Sequence, residues 1–220
     1  MYRSPALSTN ALPLNIAGAA RAPAPVVFVA EKGDAVREAL DVVTPDGGWH
    51  AEVFGAAGHP PGVPSCLVLD ISLPGSLQLQ QRLAAERPDM PIICLADSVP
   101  TAVRVMKAGA VDVLAKPVDA ALLAQAVGHA LHRSEANLQQ HSDARQLESR
   151  YASLSHRERQ VMDLVVSGLL NKQVGGELGI SEITVKAHRG RVMRKMNARS
   201  LAALVKMAGR LQLSTPSATH

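Results

Sequence analysis

Between Leu154 and Leu211 the chain carries helix-start and helix-stop signals so closely spaced that only a compact bundle of short helices accommodates them. Ser155 followed by Glu158 makes a capping box: the hydroxyl accepts from a free N–H of the first turn and the carboxylate reaches back to the cap. Val161, Leu164, Val165 and Leu169 follow at helical spacing, and Gly168 marks the end of the run. A second, short helix is predicted from Asn171 to Leu178 with Gly179 at its C-terminal turn. Ser181 then caps a third helix reaching about Asn197. Two helices separated by a tight Gly-containing turn form the helix-turn-helix pattern, whose second helix enters the major groove of DNA.

Stepping about 100° per residue along the third helix brings Val185, Val192 and Met196 onto one face, which should pack on the first two helices. The opposite face carries Lys186, Ala187, Gly190, Arg191 and Arg194. Lys and Arg can donate to guanine O6 and N7, Ala can touch a thymine methyl, and Gly lets the backbone come close. Lys172, Ser181, Thr184 and Lys195, at helix starts and flanks, suit phosphates, which set register without carrying sequence information. The plainer reading of the same cations is a solvated helix face. His188 and Arg189 lie toward the apolar side and admit two readings: buried groups paired with a carboxylate such as Glu158, or direct DNA contacts.

The words L-S-H-R-E-R-Q-V, N-K-Q-V, L-G-I-S-E-I-T-V-K-A-H-R and M-R-K-M-N-A-R-S-L, in this order and spacing, resemble the LuxR-type output domain of NarL/FixJ response regulators. The resemblance covers Leu154 to Leu213. It implies four helices, duplex DNA as partner, and a homodimer formed through the last helix, Ser200 to Leu211, where Leu201, Leu204, Val205 and Ala208 fit a packed stripe. One departure is Gly175-Gly176, where the family carries Ala and a helix-favouring residue. Two glycines cost such a helix on the order of 1 to 2 kcal/mol.

Charge divides along the chain. Residues 151–220 hold 11 Lys and Arg against 4 Asp and Glu, net +7, while residues 1–150 hold 12 against 15, net −3. The basic end is the nucleic-acid end. Only 2% of residues are aromatic against 47% hydrophobic, so the cores are aliphatic and base stacking on aromatic platforms is disfavoured. No apolar run approaches the roughly 18 residues needed to cross a bilayer, and no membrane partner is expected. The first 24 residues, rich in Ala, Pro, Ser and Asn, make a poor signal peptide and read as a disordered tail. Cys66 and Cys94 sit in apolar segments with the wrong spacing for a metal motif and read as buried free thiols of a cytoplasmic protein.

From Pro25 to Arg133, short apolar runs alternate with helical patterns. Val26 to Ala30, Trp49 to Phe54, Cys66 to Asp70, Ile92 to Ala96 and Val111 to Ala115 read as strands, and Ala35 to Val43 as a helix. Such alternation builds a parallel sheet with helices on both faces, whose ligands sit at the carboxyl ends of the strands. The residues there are Glu31, Lys32, Asp70, Ala96 and Lys116.

Leu-Val-Leu-Asp70-Ile-Ser-Leu-Pro74 and Met106-Lys-Ala-Gly-Ala-Val-Asp-Val-Leu-Ala-Lys116-Pro117 are similar to the phosphoacceptor strand and the last strand of a response-regulator receiver. That resemblance implies a flavodoxin-like (βα)5 domain over 25–133, with Asp70 accepting phosphate from a histidine kinase and Lys116 paired with it. The departures fall on one mechanism. Two adjacent carboxylates after the first strand are replaced by Glu31-Lys32, which puts a cation where Mg²⁺ needs oxygen ligands. The Ser or Thr after the fourth strand aligns with Ala96, and the aromatic switch residue with Val113. The loop after Asp70 is shortened, and Gly55 to Pro64 is so rich in Gly and Pro that the second helix should be stunted.

The expectation is a degenerate receiver in which Lys32 and Lys116 neutralise Asp70 without phosphate, with no cofactor and only a degenerate Mg²⁺ site at Glu31 and Asp70. In the competing reading, Asp34 or Glu31 rescues the metal and phosphorylation continues. A helical linker over 134–150, with Leu131, Leu138 and Leu147 as sparse apolar positions and His129, His132 and His141 solvated, leads to the helix-turn-helix domain at 151–213 and a tail at 214–220. The whole reads as a DNA-binding transcription regulator and not an enzyme: Ala30-Glu-Lys-Gly-Asp stands where a dinucleotide-binding sheet carries its glycine fingerprint. A partner-binding module that has lost DNA affinity is the third reading, kept open by Gly175-Gly176.

Overall fold

The computed structural model describes residues 23–55 and 62–214. The chain divides into two compact units, Met1–Leu131 and His132–His220. The tails expected over 1–24 and 214–220 lie outside the described residues, apart from Pro23, Ala24 and Ser214.

The first unit is built on five parallel strands, β1 (Val26–Ala30), β2 (His50–Val53), β3 (Ser65–Asp70), β4 (Ile92–Ala96) and β5 (Asp112–Ala115), in the spatial order β2-β1-β3-β4-β5. This is the doubly wound flavodoxin-like order, with its switch point between β1 and β3. Side chains alternate across the sheet. Val27, Val29, Cys66, Val68, Ile93 and Leu95 face one layer, where helix α1 (Ala35–Gly47) contributes Val36 and Leu40 and helix α4 (Ala120–Ala152) contributes Leu123, Ala126 and Val127. Trp49, the single tryptophan, is buried in that layer. Val26, Phe28, Leu67, Leu69, Ile92 and Cys94 face the other, against Leu83 of α2 (Ser76–Glu86) and Val105 of α3 (Val99–Lys107). β3 and β4 are buried along their whole length, as parallel strands covered on both faces must be. Burial pushes the thiols of Cys66 and Cys94 up to about 12, so both are inert in the core.

Several boundaries differ from the sequence expectation. α1 continues past Val43 through Pro45 to Gly47 and stops at Gly48, whose φ of 66° takes the left-handed conformation that ends helices. β2 and β5 are each shorter than the apolar runs that suggested them, because both are edge strands. No helix lies between β2 and β3 among the described residues, and the stunted helix expected over Gly55 to Pro64 falls mostly on residues 56–61, outside them. α4 is one 33-residue helix that takes in the expected linker at 134–150.

The second unit holds α5 (His156–Val166), α6 (Asn171–Leu178), α7 (Glu182–Lys195) and α8 (Leu201–Ser214). Its starts are those the capping chemistry predicts. Ser155 Oγ accepts from Glu158 N–H while Glu158 Oε2 accepts from Ser155 N–H, and Ser181 Oγ accepts from Thr184 N–H. α6 ends at Gly179 with φ 66°, and the chain leaves α7 through Asn197 at φ 54°, a residue type that tolerates the left-handed region. Val161, Val165, Val174 and Val185 form one small core, while Met162, Val192, Met196, Leu204 and Ala208 form another.

Burial of Leu204 and Ala208 corrects the expectation for the last helix. Both pack inside the unit's own core, so of the four positions read as a dimer stripe only Leu201 and Val205, 38% and 43% exposed, remain available to a second copy. The physical reason is that α8 must bury one face against α5 and α7 before it can offer another.

Candidate functional sites: the strand-end carboxylates and the helix-turn-helix face

At the carboxyl end of β3, Asp70 is 5% exposed. Its Oδ1 accepts from Lys116 Nζ at 2.7 Å, from Ser72 N–H at 2.9 Å and from Ser72 Oγ at 2.7 Å. Burial works to raise the carboxyl's pKa, but the hydrogen bonds from Lys116 and Ser72 outweigh it and hold the group below its ordinary value. Lys116 reaches across from the end of β5 and also lies 3.9 Å from Asp97. Ser72 was not singled out from the sequence. Its signal was the Asp-x-Ser spacing, which lets a hydroxyl and an amide two residues on close onto the carboxylate.

Glu31 is turned away from this cluster. Its two oxygens accept from Val36 and Arg37 N–H at 3.0 Å each, capping the first turn of α1. The positional cap, Asp34, makes no such bond. Lys32 is exposed and forms no ion pair with Asp70, so the expectation that two lysines neutralise the acid is corrected: Lys116 does so with help from Ser72. The cause is local, since drawing Glu31 onto the free amides of α1 leaves the next side chain in the bend facing solvent. Ala96 is buried at the end of β4 and offers no hydroxyl, and Val113 is half-buried in the core on the α2 and α3 side.

As arranged here, these groups do not present the oxygen array of a Mg²⁺ site. A site for it needs several oxygens in near-octahedral array. Here Glu31 is committed to backbone amides and Asp70 Oδ1 to three donors. Among the described residues no group of three or more His, Cys, Asp or Glu could hold a metal ion.

In the second unit, α6, the turn at Gly179 to Ser181 and α7 make the helix-turn-helix. The turn is tight: a Cβ built on Gly175 would lie 2.7 Å from the Ile180 carbonyl oxygen, whereas one on Gly176 meets nothing within 4 Å. Arg189 donates to Asn171 Oδ1 at 3.1 Å and ties α7 to the start of α6. Arg157 bonds the Leu178 carbonyl at 2.8 Å, satisfying the end of α6. Val185 and Val192 are buried, and Lys186, Ala187, Gly190, Arg191 and Arg194 are all exposed on the far side. Lys172 and Ser181 are exposed and Thr184 half-exposed at the helix starts. Among the expected phosphate contacts Lys195 stands apart. Its Nζ donates to Glu158 Oε2 at 2.7 Å and to the Ser153 carbonyl at 2.9 Å, while its side chain stays 40% exposed. Neither His188 nor Arg189 is the partner of Glu158. Ile183, unremarked in the sequence, is 79% exposed near the start of α7.

Comparison with known proteins covers both units. Residues 152–208 match the family of bacterial regulatory proteins of the luxR type, and residues 52–128 match the response regulator receiver domain. Nodulation protein W of Bradyrhizobium diazoefficiens is 42% identical over 198 residues, spanning 86% of this chain and 87% of that protein. The transcriptional regulatory protein FixJ of Azorhizobium caulinodans is 40% identical over 191 residues, spanning 83% and 90%. Among solved structures, the response regulator StyR superposes with a TM-score of 0.72 at 38% identity, over 86% of this chain and all of that one.

Proposed function

The chain belongs to the response regulators that join a receiver domain to a LuxR-type DNA-binding domain, and from that premise we propose that it is a homodimeric transcription regulator whose receiver no longer depends on phosphate. It has a DNA-binding output domain and is not an enzyme. No helix among the described residues is long and apolar enough to cross a membrane.

The observation that carries the receiver reading is the commitment of Glu31. A receiver prepares its aspartate for phosphoryl transfer by offsetting charge with a metal ion and a lysine. Here the carboxylate nearest the family's metal-binding pair is bonded through both oxygens to the amides opening α1, and its neighbour is a cation. Asp70 is neutralised by Lys116 instead, with two hydrogen bonds from Ser72 on the same oxygen. DNA binding then does not wait for phosphate, and the receiver serves as a dimerisation or docking module.

A second reading has its own support. The acceptor pair itself is kept, with Lys116 2.7 Å from a buried Asp70, and a histidine kinase would find a carboxylate oxygen to modify. Incubating the full chain with beryllofluoride or acetyl phosphate and Mg²⁺, with mass and NMR readout at Asp70, separates the two. The first reading expects no stoichiometric adduct; a Mg²⁺-dependent one overturns it.

A further inference from the structure

Ile183 is the most exposed large apolar side chain among the described residues, at 79%, and it occupies the second position of α7. Taking it as the origin and stepping about 100° per residue, Gly190 and Arg194 fall within about 20° of it and Ala187 about 40° away. Val185 and Val192 lie on the opposite side of the helix, in the core. Ile183 thus sits on the midline of the exposed face. Glu182 and Lys186 pair at 3.1 Å along one flank and leave it uncovered.

Nothing in the folded chain repays this exposure. A β-branched residue is not a favoured choice for an open helix turn, and apolar surface left in water forgoes the gain of burial. The face around it is otherwise basic or small: Lys186, Arg191 and Arg194 supply charge for the phosphates and base edges, and Ala187 and Gly190 let the helix lie close. In the major groove the one apolar feature on a base edge is the 5-methyl group of thymine. We propose that Ile183 is a specificity-determining residue that packs against a thymine methyl at one end of each half-site. Lys186 and the flanking arginines read or clamp their neighbours. This rests on the reading of the second unit as a DNA-binding domain.

The test uses the full chain and a randomised duplex library. Duplexes selected by the wild type are remade with deoxyuridine at each thymine in turn, which removes one methyl and keeps the pairing. The expected result is one thymine per half-site whose demethylation weakens wild-type binding roughly 3- to 10-fold. For Ile183→Ala the same change has less than about a 2-fold effect, and Ile183→Val falls between. Melting temperatures of the variants should match the wild type, because the side chain is 79% exposed. Equal losses for wild type and Ile183→Ala at every thymine overturn the inference while leaving DNA recognition intact. Failure of the wild type to enrich any sequence overturns the DNA-reading function itself, and this inference with it.

Discussion

Lys195, in the last turn of α7, donates to Glu158 Oε2 at 2.7 Å, joining the end of the second helix of the helix-turn-helix to the capping box that opens α5. Glu158 is 4% exposed. The hydrogen bond from Lys195, then that from Ser155 N–H, hold its carboxyl below the ordinary value against the opposing effect of burial. The pair is a strut of the domain, although sequence alone assigns Glu158 to the capping box and Lys195 to phosphates.

Lys195→Met should destabilise the second unit by about 1 to 3 kcal/mol, because it leaves a buried carboxylate without its charged donor. The slope of DNA affinity against salt should stay as in the wild type. A residue that neutralises a phosphate would instead lower that slope by about 1. Urea melts and salt-dependent binding isotherms report the two quantities separately.

Acid should weaken the same unit through Glu158. A carboxyl whose folded value lies below its unfolded one contributes stability that is present above the unfolded value, near pH 4.3, and is lost as pH falls through the folded value. Chemical denaturation at a series of pH values should therefore show a decline on the acid side that Glu158→Gln largely removes. A decline of equal size in that variant would assign it elsewhere.

Glu31→Ala should destabilise the first unit by about 0.5 to 2 kcal/mol, since it frees two amide donors in the first turn of α1. Glu31→Gln, which retains an acceptor oxygen, should lose less. Adding Mg²⁺ should raise the melting temperature of neither the wild type nor the variants; a Mg²⁺-dependent rise in the wild type that Glu31→Ala abolishes would show this carboxylate to be a ligand.

The two glycines of α6 should respond in opposite directions. Gly176→Ala adds a methyl to open space in a helix and should stabilise by about 0.5 to 1 kcal/mol. Gly175→Ala drives a Cβ to within 2.7 Å of the Ile180 carbonyl and should destabilise despite the better helix propensity. Thermal melts of the two single variants suffice, and equal signs would contradict the geometry of the turn.

Leu204→Ala should cost about 2 to 5 kcal/mol, as buried leucine truncations do. Val205→Asp, on the exposed side of the same helix, should leave stability near the wild type and weaken self-association on DNA. Sedimentation of the protein with duplex reads the second effect.

Much of this molecule was legible from chemistry that acts within a few residues. Ser155 with Glu158, Gly179 and Ser181 mark helix ends because a cap and its helix are neighbours in sequence, and all three stand where expected. Alternation of short apolar runs with helical patterns pointed to a parallel sheet covered on both faces, while the flavodoxin-like fold came from the resemblance to receivers and the order β2-β1-β3-β4-β5 from the structure. What escaped were choices made between distant parts. Glu31 could face the acid cluster or the start of α1, and only the position of that helix decides. Lys195 found Glu158 across 37 residues. The stripe on α8 was recognised as apolar, but which half of it turns inward depends on α5 and α7. Ser72 and Ile183 carry weak signals in sequence for different reasons: a serine after an aspartate is common, and an isoleucine in a helix ordinarily belongs to the core.

The seat of Trp49 has a practical consequence. As the chain's one tryptophan it lies wholly within the first unit's core, while Tyr151 is the aromatic residue of the second. Red-edge fluorescence therefore watches the receiver alone and is blind to the DNA-binding unit, so emission and helix dichroism followed together separate the unfolding of the two halves without a label or a truncation.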